Sequence, residues 1–93
     1  MDLSVKYTNA GSASDAYEKV KLAITPETIA KFKVKAELKY KENEQIHATG
    51  KGFDMYFDFK DNEVQVTLKL GLLFKAFKGT ILEGVQKQLG RVV

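Results

Sequence analysis

The chain of 93 residues has no cysteine and only one histidine. Without cysteine there is no disulfide, no thiolate nucleophile and no thiolate metal ligand, while the compartment stays open. A metal site needs several ligands, and one histidine does not supply them. No apolar run approaches the roughly 20 residues that span a bilayer. No basic-then-apolar leader precedes the first patterned stretch, so a soluble cytoplasmic protein is expected. Net charge is also small, at +3. That suits solubility and weak attraction to anionic surfaces, and it does not by itself imply nucleic acid. What remains is a globular composition, 44% hydrophobic and 29% charged, long enough for one domain over residues 1–93. A domain of this size buries roughly two-thirds of its unfolded surface, so modest stability is expected.

The apolar residues are patterned. In "LSVKYT", Leu3, Val5 and Tyr7 share one face, which describes a half-buried strand. "NAGSAS" is a turn in which Ser12 or Ser14 can cap a helix. In the stretch that follows, Ala16, Val20 and Ile24 recur at helical spacing. Thr25-Pro26 interrupts the pattern and opens a second short helix, because proline fits the first helical position. Ile29 and Phe32 are expected to face the core from it.

Four alternating stretches follow. "KVKAELKYK" sets Val34, Ala36, Leu38 and Tyr40 against Lys33, Lys35, Glu37, Lys39 and Lys41. "QIHATGKG" puts Ile46 and Ala48 inside and His47 and Thr49 outside, with Gly50 and Gly52 marking a bulge or tight corner. Phe53, Met55, Phe57 and Phe59 share a face, as do Val64, Val66, Leu68 and Leu70. The turns between these strands are short, so consecutive strands pair antiparallel. Clean alternation leaves one sheet face buried and one wet. The expected fold is therefore α+β. It has two layers, an antiparallel sheet of about five strands with helices on one face, in the order β-α-α-β-β-β-β-α.

Catalytic constellations are lacking. His47 falls on the wet face, where an exposed surface histidine is expected. Asp54 and Asp58 lie four residues apart on one strand, about 13 Å along it, too far for a carboxylate pair. "GSASD" and "GKGF" do not match a phosphate loop. No nucleophile is paired with a base. A non-enzymatic protein without a cofactor is expected. Lys33, Lys35, Lys39 and Lys41 form a basic stripe near Tyr56, the kind of interleaving that binds single strands. A solvated edge strand explains it more simply, with Glu37, Asp54 and Asp58 diluting the field. Nucleic acid is thus not the expected partner.

The last helical pattern, "LGLLFKAFKGTILEGVQKQLG" over residues 70–90, is the more informative one. Leu73, Phe74, Phe77, Ile81, Leu82, Val85, Leu89 and Val92 cover about half its circumference. Phe77, Ile81, Val85 and Leu89 are expected to close the core. Three glycines, Gly79, Gly84 and Gly90, each lower helix propensity by about 1 kcal/mol, so the helix depends on packing. Leu72, Phe74 and Leu82 lie toward the margins of the apolar arc. With Phe77 they are the candidate contact: a cap on the core's edge, a homodimer seam, or a surface for an apolar partner.

"GKGFDMYFDFKDNEVQVTLKLG" and "LGLLFKAFKGTILEGVQKQL" resemble the strand hairpin and closing helix of a family of small bacterial proteins, the polyhydroxyalkanoic acid system proteins. The similarity rests on Leu72-Leu73, Phe77-Lys78-Gly79 and Leu89 in the helix. It implies association with storage-polyester granules or with their proteins, and it transfers no catalytic residue. The order of elements also resembles a shortened helix-grip domain, which implies an alternative: a carrier of a small apolar ligand such as a fatty acyl group, held between sheet and last helix. Phe53, Met55, Phe57 and Phe59 are expected to fill that space.

Overall fold

The computed structural model describes residues 1–30, 35–72 and 74–93. The elements are β1 (Leu3–Lys6), α1 (Ala13–Ala23), α2 (Pro26–Ala30), β2 (Glu37–Lys41), β3 (Gln45–Gly50), β4 (Phe53–Phe59), β5 (Glu63–Leu70), a 3-10 turn (Lys75–Phe77) and α3 (Lys78–Val92). All neighbouring strands are antiparallel, in the order β1-β5-β4-β3-β2. The fold is the expected α+β sheet with helices packed on one face.

Register explains the core. Tyr40, Ile46, Phe57, Val66 and Leu3 stand in one row across the sheet, and Leu38, Ala48, Met55 and Leu68 in the next. Alternation along each strand therefore delivers one apolar face, with Ile46, Ala48, Phe57 and Val66 fully buried. Onto it α1 sets Ala16, Tyr17 and Val20, and α3 sets Val85 and Leu89. The Tyr17 ring meets the edge of Phe59 at 5.6 Å between centroids.

Local chemistry sets the element ends. The Ser12 hydroxyl accepts the Asp15 N–H at the start of α1, and the Thr25 hydroxyl accepts the Thr28 N–H at the start of α2. Gly52, at φ 86°, is the second residue of the two-residue turn between β3 and β4, where glycine carries no steric cost. Gly50 has no room for a Cβ: the Lys35 carbonyl oxygen and the Phe53 ring edge occupy that space. The Val93 backbone oxygen accepts N–H groups from Thr8, Asn9 and Ala10, at 2.6, 2.6 and 3.0 Å. This clasp ties the end of α3 to the loop between β1 and α1.

Two expectations change. The ladder of β2 begins at Glu37, so Lys35 and Ala36 precede it. Phe32, Lys33, Val34 and Leu73 fall outside the described residues. The last helix also does not run from residue 70. A turn and one 3-10 step come first, and α3 begins at Lys78.

Candidate functional site

The segment joining β5 to α3 is fixed by backbone bonds before any side chain acts. Gly71 N–H donates to the Gly52 carbonyl at 2.7 Å, Phe74 N–H to Gly71 at 3.0 Å, and Phe77 N–H to Phe74 at 2.9 Å. The turn at Gly52 thus seats Gly71 and, through it, Phe74 and Phe77. Phe74 turns its ring onto Gly52 and is half-buried. Its neighbours are not: Leu72 is 88% exposed and Phe77 54% exposed. Leu82 is half-buried and packs against the core cluster.

Of the four candidate contact residues, then, Leu72 and Phe77 stand out to solvent, Phe74 lies between them, and Leu82 belongs to the core margin. Phe77 was expected to close the core, and here the structure corrects the sequence. A 3-10 turn has 3.0 residues per turn instead of 3.6, so a wheel drawn through residues 73–92 loses its phase at Lys75–Phe77. Ile81 is half-buried, while Val85 and Leu89 are buried as expected.

Beneath this segment, between sheet and helix, lies a cavity of about 190 Å³. Its sheet side is formed by Phe53, Met55 and Leu70. Ile24 and Ile29 close it from the α1–α2 side, and Ile81 and Val85 from α3. Phe74 reaches it from the exposed connection. Among the described residues, the polar side chains on its wall are Thr28 and Gln88, and no charged residue lines it. The four sheet residues expected to fill this space are buried, yet they leave it open. No single-strand pattern could show this, because four separate elements make the wall.

The basic stripe is only partly assembled. Lys39 and Lys41 lie on the wet face of the edge strand β2, opposite His47 and Gln45. Lys41 also lies 3.6 Å from Glu44. Lys35 precedes the strand, and Lys33 lies outside the described residues. On the same face His47 stacks on Tyr56 at 4.1 Å and 11°, with its Nε2 2.9 Å from Asp54 Oδ1. The Thr49 hydroxyl donates to the same carboxylate, and with His47 beside it this holds the Asp54 carboxyl below its usual range. His47 is therefore a packed cross-strand partner rather than a free surface residue. The register pair His47–Tyr56, two residues on facing strands, was the available signal. Asp58 accepts a hydrogen bond from the Gln45 amide at 2.7 Å.

Among the described residues, no cluster of three or more histidine, aspartate or glutamate side chains is placed to hold a metal, and no helix is long and apolar enough to cross a membrane. Residues 12–93 match the model of a family described as "Putative polyhydroxyalkanoic acid system protein". No curated protein and no solved structure matches this chain significantly.

Proposed function

Because the chain belongs to the polyhydroxyalkanoic acid system protein family, we propose that it is a non-enzymatic protein of the polyester granule, acting through apolar contact at the connection between β5 and α3. One observation carries this reading: Leu72 and Phe77, large apolar side chains five positions apart, stand exposed on either side of Phe74 in the chain. Isolated exposed leucines need no explanation, and two large apolar side chains exposed on one short segment support a contact there. A polyester surface is apolar and offers little for a charged stripe to grip. Lys75 lies within the segment and Lys78 follows it, and Lys78 is held by Asp2 at 3.0 Å.

The test is a granule sedimentation assay with the double variant Leu72→Asp/Phe77→Asp. Both sites are exposed, so the fold should hold while binding to isolated granules falls at least tenfold. Binding by the wild type should change little between low and high salt, whereas lysine-stripe binding to nucleic acid would weaken steeply. Full granule binding by the folded double variant would sink the surface reading.

A second reading, carriage of a small apolar molecule, is favoured by the cavity between sheet and α3.

A further inference from the structure

We propose that this cavity is a binding site for one uncharged aliphatic chain of about six to eight carbons, ending in an ester or a hydroxyl and not in a free carboxylate. The inference rests on the second reading above and sharpens it to a ligand class.

Size sets the first limit. An apolar cavity of roughly 150 Å³ in another protein stays dry and takes up benzene. The cavity here is about 190 Å³, which holds a slightly larger apolar group; the rest of a long fatty acyl chain would have to lie outside it. Shape of the lining sets the second. Phe53, Met55, Ile81 and Val85 offer only carbon and sulfur, so water gains little by entering. A ligand chain gains contact with the sheet on one side and the helices on the other.

Charge sets the third limit. An ionised carboxylate buried without a cation loses its hydration with nothing in return. Among the described residues, no lysine or arginine lines this cavity. The polar groups on its wall are neutral: the Thr28 hydroxyl and the Gln88 amide. Thr28 already donates to the Ala23 carbonyl at 3.1 Å, which leaves Gln88 as the group best suited to meet a ligand. A carboxamide can donate to an ester carbonyl or accept from a hydroxyl. It cannot neutralise a carboxylate. The site therefore selects against short fatty acid anions, whose carboxylate would be buried along with the chain.

The experiment follows the Met55 methyl resonance by NMR while methyl hexanoate, 1-hexanol and sodium hexanoate are titrated separately at pH 7. Met55 is 5% exposed and forms part of the cavity wall, so its methyl reports occupancy and not surface adhesion. Saturable shifts are expected with the ester and the alcohol, with at least tenfold weaker binding of the anion. Ile81→Trp should fill the cavity and abolish the shifts. Should that variant fold poorly, Gln88→Leu gives a milder check: ester affinity should fall severalfold while xenon, which needs no polar partner, still binds.

No saturable shift with either neutral probe would overturn the proposal. So would hexanoate binding as tightly as its ester, or unchanged ester affinity in folded Ile81→Trp. A methyl-capped trimer of the polyester distinguishes the ligand's source. If it shifts Met55, the chain comes from the polymer; if only the free ester does, the site serves a free molecule. Granule sedimentation of the Leu72→Asp/Phe77→Asp variant is read independently. Loss of granule binding without any ester binding removes this inference alone, and ester binding with intact granule binding removes the surface reading alone.

Discussion

The Phe74 ring packs so closely on Gly52 that a Cβ built there would stand 2.9 Å from Phe74 Cε2. The glycine serves two needs at one position, a φ of 86° for the turn and an open face for the ring. Gly52→Ala should therefore cost about 1–2 kcal/mol in backbone strain alone. Displacement of Phe74 adds to it, so the segment carrying Leu72 and Phe77 should loosen. Urea unfolding gives the first effect. Faster proteolysis within residues 71–78 gives the second, and equal cleavage of variant and wild type there would count against the seat.

Phe57 lies at the centre of the sheet, with 0% exposure and Ile46 and Val66 as register partners. Phe57→Ala should cost about 3–5 kcal/mol. That is a large part of the stability expected for a domain of this size. Circular dichroism should show a largely unfolded variant at 37 °C. A loss below about 1 kcal/mol would mean the core closes over the gap.

Asp2 joins the first strand to two other elements. Its carboxylate accepts the Leu68 N–H at 2.8 Å and pairs with Lys78 at the start of α3 at 3.0 Å. The Leu68 hydrogen bond, then Lys78, hold its pKa below the ordinary 3.8. The unfolded chain therefore binds the proton more readily than the folded one. The contribution of Asp2 is present above about pH 4 and is lost as pH falls through the lowered folded value. Asp2→Asn should lower stability at pH 7 and flatten the acid limb of the stability curve. A variant curve parallel to wild type down to pH 2 would assign the acid loss to other groups.

Hydrogen exchange should divide α3. Amides near Val85, Leu89 and Val93, all buried, should exchange slowly in the free protein. Amides of Phe77–Leu82 should exchange faster and slow on adding granules. Uniform protection, unchanged by granules, would reduce the helix to a closing element.

Much of this fold was legible because strand alternation and capping are local. Phe53, Met55, Phe57 and Phe59 announced a buried face, and Ser12 and Thr25 announced helix starts with the hydrogen bonds the structure shows. The candidate contact was legible only in part. Leu72 and Phe74, expected at the margin of the helix's apolar arc, lie in the connection before α3 instead. Phe77 was misplaced because its spacing was read as continuous helix, while the bonds from Gly71 to Gly52 and from Phe77 to Phe74 hold a different geometry. Those bonds join residues 19 positions apart or depend on a turn type, and periodicity carries neither. The cavity was hidden for a related reason. It is the volume that side chains from the sheet, α2 and α3 fail to fill, a sum over contacts that no single stretch records.

The clasp at Val93 gives α3 the mechanics of a flap with one fixed edge. Three N–H groups and the buried Val85, Leu89 and Val93 pin its far end. Its near end carries exposed Phe77, Gly79 and Thr80, and nothing lies within 4 Å of where a Gly79 side chain would begin. Opening of the layer between helix and sheet would then pivot about Val93 and lift at Lys78, with the Asp2–Lys78 pair as the contact to break first. A small angular movement there would widen the space beside Ile81 most, so a partner gripping Leu72 and Phe77 would pull on the long arm of the lever.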